Sequence, residues 1–230
     1  MISVIIPTLN SEIVLAHTLA ALVPAAAEGV VREVIVVDGG SSDNTHVIAD
    51  AAGCEWCPEK GPRSRLLEAG ATRAQRGEWL LFLSADTVLE PGWFHEVQAF
   101  IERAERSGSA DRTAAAFKLK FEAFGLGARL SEILASLRSH LLGMPYGNQG
   151  LIISRRFYAK LGGYSPLPEM EDLDLVKRIG RRRLVCLRAA AISSGRLDEP
   201  GFLSSMRRSI ARFCVGTLRV PPKLVLRIHG

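Results

Sequence analysis

Three short apolar runs, each cut off by a polar cluster, constrain this chain more than any other feature. Ile2-Ser3-Val4-Ile5-Ile6, Glu33-Val34-Ile35-Val36-Val37 and Trp79-Leu80-Leu81-Phe82-Leu83 are almost continuously apolar. Strands buried on both faces read this way, whereas a half-exposed strand alternates. Helical patterns fill the gaps. Ser11 opens a helix to about Val23, where Pro24 helps end it. Asp43 caps a second helix toward Ala52, residues 54–57 form a weak strand, and Arg65 to Arg76 carry Leu66, Leu67 and Ala71 at helical spacing. Strands alternating with helices build a mostly parallel, doubly wound α/β sheet. Ligands of such sheets bind beyond the carboxyl ends of the strands. Three polar clusters fall there: Pro7-Thr8-Leu9-Asn10, Asp38 to Asp43, and Ser84-Ala85-Asp86.

The second half continues the same domain with a looser pattern. Pro91-Gly92 opens a helix to about Arg106, and Ala114 to Phe121 alternates like a half-exposed strand. Residues 126–142 read as helix, and Gly143 to Gly150 as a turn into strand Leu151-Ile152-Ile153. A helix begins at Glu171 and runs to Ile179, and Leu184 to Leu187 is a short strand. Phe202, Leu203, Met206, Ile210 and Phe213 form the apolar face of a C-terminal amphipathic helix, with Arg207, Arg208 and Arg212 off that face.

Composition narrows the function classes. With 47% hydrophobic and 23% charged residues, the 230-residue chain can bury a core without a disulfide or metal staple. The charge-free stretch Ile13 to Ala27 contains Pro24 and falls short of a bilayer span. Met1 to Asn10 lacks a basic leader, so the expectation is a cytoplasmic protein with reduced thiols. Cys54 and Cys57 form a C-x-x-C, but no second Cys or His pair follows to complete a zinc site. The net charge of +5 is uneven: residues 1–174 hold 16 Lys and Arg against 22 Asp and Glu, and residues 175–230 hold 13 against 2. A basic tail on an acidic body points to an anionic membrane surface, nucleic acid or an acidic substrate.

Neither G-x-G-x-x-G nor G-x-x-x-x-G-K-[ST] occurs, so no glycine loop wraps a phosphate after the first strand. The run Val4-Ile5-Ile6-Pro7-Thr8-Leu9-Asn10, then Val36-Val37-Asp38-Gly39-Gly40-Ser41-Ser42-Asp43, then Leu81-Phe82-Leu83-Ser84-Ala85-Asp86, then Met170-Glu171-Asp172-Leu173-Asp174-Leu175, resembles the family 2 glycosyltransferases in order and spacing. The resemblance covers roughly residues 1–190. The short length and Gly61-Pro62-Arg63-Ser64-Arg65 are similar to a small bacterial subgroup associated with radical-SAM and selenium-related genes.

The resemblance implies a single GT-A-like domain over 1–200, with a nucleotide-sugar half to about 110, an acceptor half beyond it, and a basic helical tail at 201–230. It implies a nucleotide-diphosphate sugar donor, a divalent metal (Mg²⁺ or Mn²⁺) and inversion at the anomeric carbon. Carried over by residue, Pro7, Thr8 and Asn10 line the nucleotide pocket, Asp38 meets the base, and Asp43 lies close by or caps its helix. Arg63 and Arg65 grip diphosphate oxygens or stand in a solvated loop. Ser84-Ala85-Asp86 occupies the D-x-D position, with Asp86 the metal ligand and Ser84 replacing the first carboxylate. Asp172 is the base that activates the acceptor hydroxyl, Glu171 its neighbour, and Gln149 an acceptor contact.

The tail either packs on the domain or lies on the inner face of a membrane, which would suit a lipid-linked acceptor; no nucleic acid is expected as partner. Two other readings stay open at this stage: a nucleotidyltransferase, and a catalytically silent protein binding nucleotide or membrane.

Overall fold

The computed structural model describes residues 1–121 and 149–193. The expected helix at 126–142 and the whole basic tail from 201 lie outside the described residues. Strands β1 (Ile2–Thr8), β2 (Val31–Asp38), β3 (Glu55–Pro58), β4 (Trp79–Phe82), β5 (Thr87–Leu89), β6 (Ala114–Phe121), β7 (Leu151–Ser154) and β8 (Leu184–Ser193) form one sheet in the order β3-β2-β1-β4-β7-β6-β8-β5. Helices α1 (Glu12–Ala20), α2 (Val23–Ala27), α3 (Thr45–Ala51), α4 (Arg63–Arg73), α5 (Trp93–Arg106), α6 (Arg155–Lys160) and α7 (Glu171–Ile179) flank it.

β1 explains the apolar runs. All seven of its residues are buried, because both faces of the sheet are covered. Ile2, Val4 and Ile6 join a cluster with Leu15 and Leu19 of α1 and Trp93, Val97 and Phe100 of α5. Ile5 points the other way, into a cluster with Leu66, Leu67 and Ala71 of α4 and Leu175 and Ile179 of α7. The side-chain period of two sends one strand into two cores.

β1, β2, β3 and β4 are mutually parallel, and mixing begins at β7, which pairs antiparallel with both β4 and β6. Pro7 sits inside β1 without a lost ladder bond, since the pairing of β1 with β4 runs only from Ile2 to Ile5.

Several boundaries differ from the sequence reading, each for a local reason. Pro24 does not end the first helix; α1 stops at Ala20, and Pro24 lies in the first turn of α2, where a missing N–H costs nothing. Ala114 to Phe117 are all buried, so β6 is an interior strand, packed between β7 and β8. β8 runs on to Ser193 because its second half pairs with both β5 and β6. Cys54 and Cys57 are free, and burial pushes both thiols up, Cys54 to about 11, as suits inert side chains.

Candidate active site

The register collects the polar clusters. Thr8 pairs with Asp38, Asp38 with Pro58, and Leu83 N–H donates to the Ile5 carbonyl at 3.0 Å, so β1 to β4 end at one edge. The loops leaving that edge are tied to each other. Asp38 is buried, and its carboxylate takes four hydrogen bonds. Thr8 Oγ1 donates at 3.1 Å and Ser41 Oγ also donates to one oxygen; the amides of Gly40 at 2.9 Å and Ser41 at 2.7 Å donate to the other. A carboxylate has about four lone-pair sites, and all are in use. Asp38 therefore shapes the loop after β2. Gly39 lets that loop press on β1 and α4: a Cβ there would stand 3.3 Å from the Thr8 carbonyl and 3.4 Å from Leu66 Cδ2.

Asn10 takes the left-handed conformation, φ 48°, tolerable for a short amide side chain. Its N–H donates to Ser41 Oγ at 2.8 Å, and its Oδ1 accepts from the Ser42 amide at 2.9 Å. Asp43 serves two helices at once. One oxygen accepts the Glu12 amide of α1 at 3.0 Å, the other the Thr45 amide of α3 at 3.1 Å. Burial raises its carboxyl, but bonds from the Thr45 hydroxyl and from backbone amides outweigh that and hold it below the usual carboxylate range. Glu12 returns the favour by accepting from Asn44 N and Nδ2. The α3 cap falls one residue later than expected, at Asn44, but the Asp43 carboxylate holds the first amide of both helices.

On the far side of β1, Thr18 Oγ1 of α1 donates to the Ala85 carbonyl at 2.7 Å and fixes the Ser84-Ala85-Asp86 turn. Ser193 Oγ, at the end of β8, donates to Asp86 Oδ2 at 3.2 Å. Among the described residues no group of three or more His, Cys, Asp or Glu side chains could hold a metal ion alone. One carboxylate fits a hard dication that keeps water and draws other ligands from phosphate oxygens. Antiparallel β7 begins at Leu151 opposite Phe82, and Gln149, two residues before it, is buried. Gly150, at φ +67°, has no room for a Cβ, which would lie 2.9 Å from Phe117.

The acidic element and the basic segment meet. Arg63 Nη1 lies 2.8 Å from Glu171 Oε1, with 33% of the Arg63 side chain exposed and only 7% of Glu171. Burial works to lower the Arg63 guanidinium, but Glu171 and Asp172 overcome it and raise it further. Ser64 Oγ donates to the Leu167 carbonyl at 2.7 Å, a second tie between the starts of α4 and α7. Arg65 instead pairs with Glu59 at 2.8 Å on the surface, with 65% of its side chain exposed.

The three acids of the first turn of α7 are thereby sorted. Glu171 is paired with Arg63, and Asp174 with Arg178 at 2.7 Å and with the Ser165 hydroxyl at 2.6 Å. Among the described residues Asp172 has no ion pair; its Oδ1 accepts the neighbouring Leu173 amide at 2.9 Å. The sequence reading gave no role to Ser41 or Ser64, whose hydroxyls tie these loops together.

The model of the family described as Glycosyl transferase family 2 matches residues 3–127. The PGL/p-HBAD biosynthesis glycosyltransferase of Mycobacterium tuberculosis (strain ATCC 25177 / H37Ra) is 36% identical over 124 residues, 46% of this chain and 44% of that protein. The chain spans less than half the length of the curated relatives it matches. Among solved structures, S. aureus TarS 1-349 superposes with a TM-score of 0.64 at 19% identity, over 99% of this chain and 69% of that one. Glucosyl-3-phosphoglycerate synthase from Mycobacterium tuberculosis, in complex with Mn²⁺ and UDP-glucose, superposes with a TM-score of 0.64 at 21% identity, over 96% and 80%. The fold is the mixed α/β architecture of GT-A transferases.

Proposed function

The chain belongs to glycosyl transferase family 2, and from that premise we propose that it moves a single sugar from a nucleotide-diphosphate sugar to a hydroxyl acceptor, with inversion at the anomeric carbon. The observation that carries this reading is the sorting of the acids of α7: of three, Asp172 alone has no ion pair among the described residues, so no cation competes for the lone pair that takes a proton. The meeting of Arg63 with Glu171 supports it as well, because it joins a basic group of the donor side to the acidic element of the acceptor side.

Pro7, Thr8, Asn10 and the loop held by Asp38 and Asp43 receive the nucleoside. Asp38 reaches the base only by exchanging one of its four present donors. Arg63, a planar fork, faces the diphosphate, and exposed Arg65 is a weaker candidate for the same work. Asp86 is the carboxylate for Mg²⁺ or Mn²⁺, which when bound would neutralise charge developing on the leaving diphosphate. Ser84 hydrogen-bonds the ribose in place of a carboxylate, and Gln149 helps fix the acceptor. Asp172 takes the proton of the attacking hydroxyl. The new C1–O bond forms as the C1–O bond to phosphate breaks, and the diphosphate leaves with the electron pair.

UDP is the first nucleotide to test, since the glucosyl-3-phosphoglycerate synthase structures hold UDP or UDP-glucose with Mn²⁺ or Mg²⁺. Calorimetry with UDP and with GDP, each with and without Mn²⁺, should give nucleotide binding that depends on the metal. Asp86→Ala should weaken that binding at least tenfold and leave metal-free binding alone. Identical titrations with and without Mn²⁺ would overturn the donor-site reading. No helix among the described residues is long and apolar enough to cross a membrane. A lipid-linked acceptor is the finer reading of the basic tail. Liposome partitioning of the full chain against a truncation after Gly201 tests it.

A further inference from the structure

Tyr164 is a buried tyrosine for which the scheme above has no use. Its ring stands edge-on to Phe82, the last residue of β4, with centroids 5.0 Å apart, and it lies 6.0 Å from the Tyr158 ring. Only 4% of the residue is exposed. Its own neighbours fix it from both sides: the Tyr164 amide donates to the Tyr158 hydroxyl at 3.1 Å, and Ser165 donates to Asp174 of α7. The ring thus packs at the end of β4, where the Ser84-Ala85-Asp86 turn starts, in the cluster that holds Leu175 and Ile179 of α7.

The two tyrosine hydroxyls differ. That of Tyr158 accepts a backbone amide. That of Tyr164 has no hydrogen-bond partner among the described residues. A buried ring with an unfilled polar tip is costly unless something else meets it. Burial pushes this phenol well above the ordinary tyrosine range; nearby Arg63 opposes the rise, while Asp172 and Glu171 add to it. The group stays protonated at any working pH, so it is a standing hydrogen-bond donor.

We propose that the Tyr164 hydroxyl is a further substrate-facing group of this site, donating a hydrogen bond to the oxygen that attacks the sugar while Asp172 takes that oxygen's proton. The assignment rests on the glycosyl-transfer reading and deepens it. An attacking oxygen, of an acceptor or of water, has two lone pairs. One forms the bond to C1, and the other accepts from Tyr164. Holding the oxygen at two points restricts it to the direction of attack.

The test uses water as acceptor, because that needs no knowledge of the physiological one. UDP-glucose hydrolysis in the presence of Mn²⁺ is measured for the full chain and for Tyr164→Phe. The expected result is a fall in kcat of about tenfold to a hundredfold. KM for UDP-glucose, metal-linked UDP binding and the thermal midpoint should stay unchanged. Tyr158→Phe is the control one ring away. It removes the acceptor of a backbone amide, so its midpoint should fall while kcat holds. A Tyr164→Phe variant with kcat within twofold of the parent, or one whose loss of rate simply follows a lower midpoint, overturns the assignment and leaves the glycosyl-transfer reading intact. A parent protein without metal-linked UDP binding removes that reading, and this role with it.

Discussion

Removing Arg63 should unfold this protein more readily, and the structure sets the size of the effect. Glu171 is buried, with 7% of its side chain exposed, and Arg63 is the cation that compensates it at 2.8 Å. Arg63→Met keeps the length and apolar stem of the side chain but leaves a buried carboxylate unpaired. Breaking a fully buried pair costs about 3–5 kcal/mol, because the remaining charge stays desolvated. One third of the Arg63 side chain reaches solvent, so water solvates part of what is left and about 2–3 kcal/mol is expected. For a chain of this size each kcal/mol moves the thermal midpoint by about 2–4 °C, so the midpoint should fall by about 4–12 °C. Adding Glu171→Gln removes the stranded charge and should recover at least half of the loss, with a coupling of about 1–3 kcal/mol between the two sites. Urea denaturation at neutral pH, without nucleotide or metal, measures all four members of the cycle. An Arg63→Met variant within about 0.5 kcal/mol of the parent, the range of an ordinary surface change, would refute the reasoning. So would additive effects of the two substitutions.

Other outcomes follow from single residues. Asp172→Asn should abolish sugar transfer and donor hydrolysis while UDP affinity stays within about threefold, since the base acts in the transition state; loss of both would assign it a structural role. Glu33 accepts at one oxygen from the Ser3 hydroxyl at 2.5 Å and from the Gln75 and Arg76 amides at 2.8 and 2.6 Å. Burial raises its carboxyl, but these bonds outweigh that and hold it below the ordinary 4.5. The ionised group therefore adds stability that is full above 4.5 and disappears as pH falls through the lower folded value. Glu33→Gln should lower the urea midpoint at neutral pH and converge with the parent in acid. Gly70 lets α4 lie close on β1 and β2: an added Cβ would stand 2.4 Å from Ile5 Cγ2 and 2.9 Å from Val37 Cγ2. Gly70→Ala should lower the thermal midpoint, since about 1–3 kcal/mol of overpacking exceeds the helix-propensity gain of under about 1 kcal/mol.

The sequence alone determined the order of strands and helices up to β4, apart from the break between α1 and α2, and the edge at which the polar clusters gather; β5 was not read. The order and the edge both follow from local chemistry. An apolar run such as Val34 to Val37 can only be a strand covered on both faces, and the polar cluster after it can only leave at the carboxyl end. The four motifs also named their residues: Thr8 and Asp38 end β1 and β2, Asp86 lies in the turn before β5, and Glu171 and Asp172 open α7.

Tertiary structure alone decided what those residues touch. Nothing local says that Arg63 meets Glu171, 108 positions away, or that Arg65, two residues along, pairs with Glu59 in solvent instead. The resemblance singled out Asp172 over Asp174, and the pair of Asp174 with Arg178 lies within α7 itself, but the Ser165 hydroxyl that also holds Asp174 is added by folding. Asp38 carries the same lesson. A carboxylate after a buried strand needed partners, and the fold supplied them from its own loop. Spacing along a chain fixes which face a residue occupies, but the charge and hydrogen-bond balance at a site depends on groups that only folding makes neighbours.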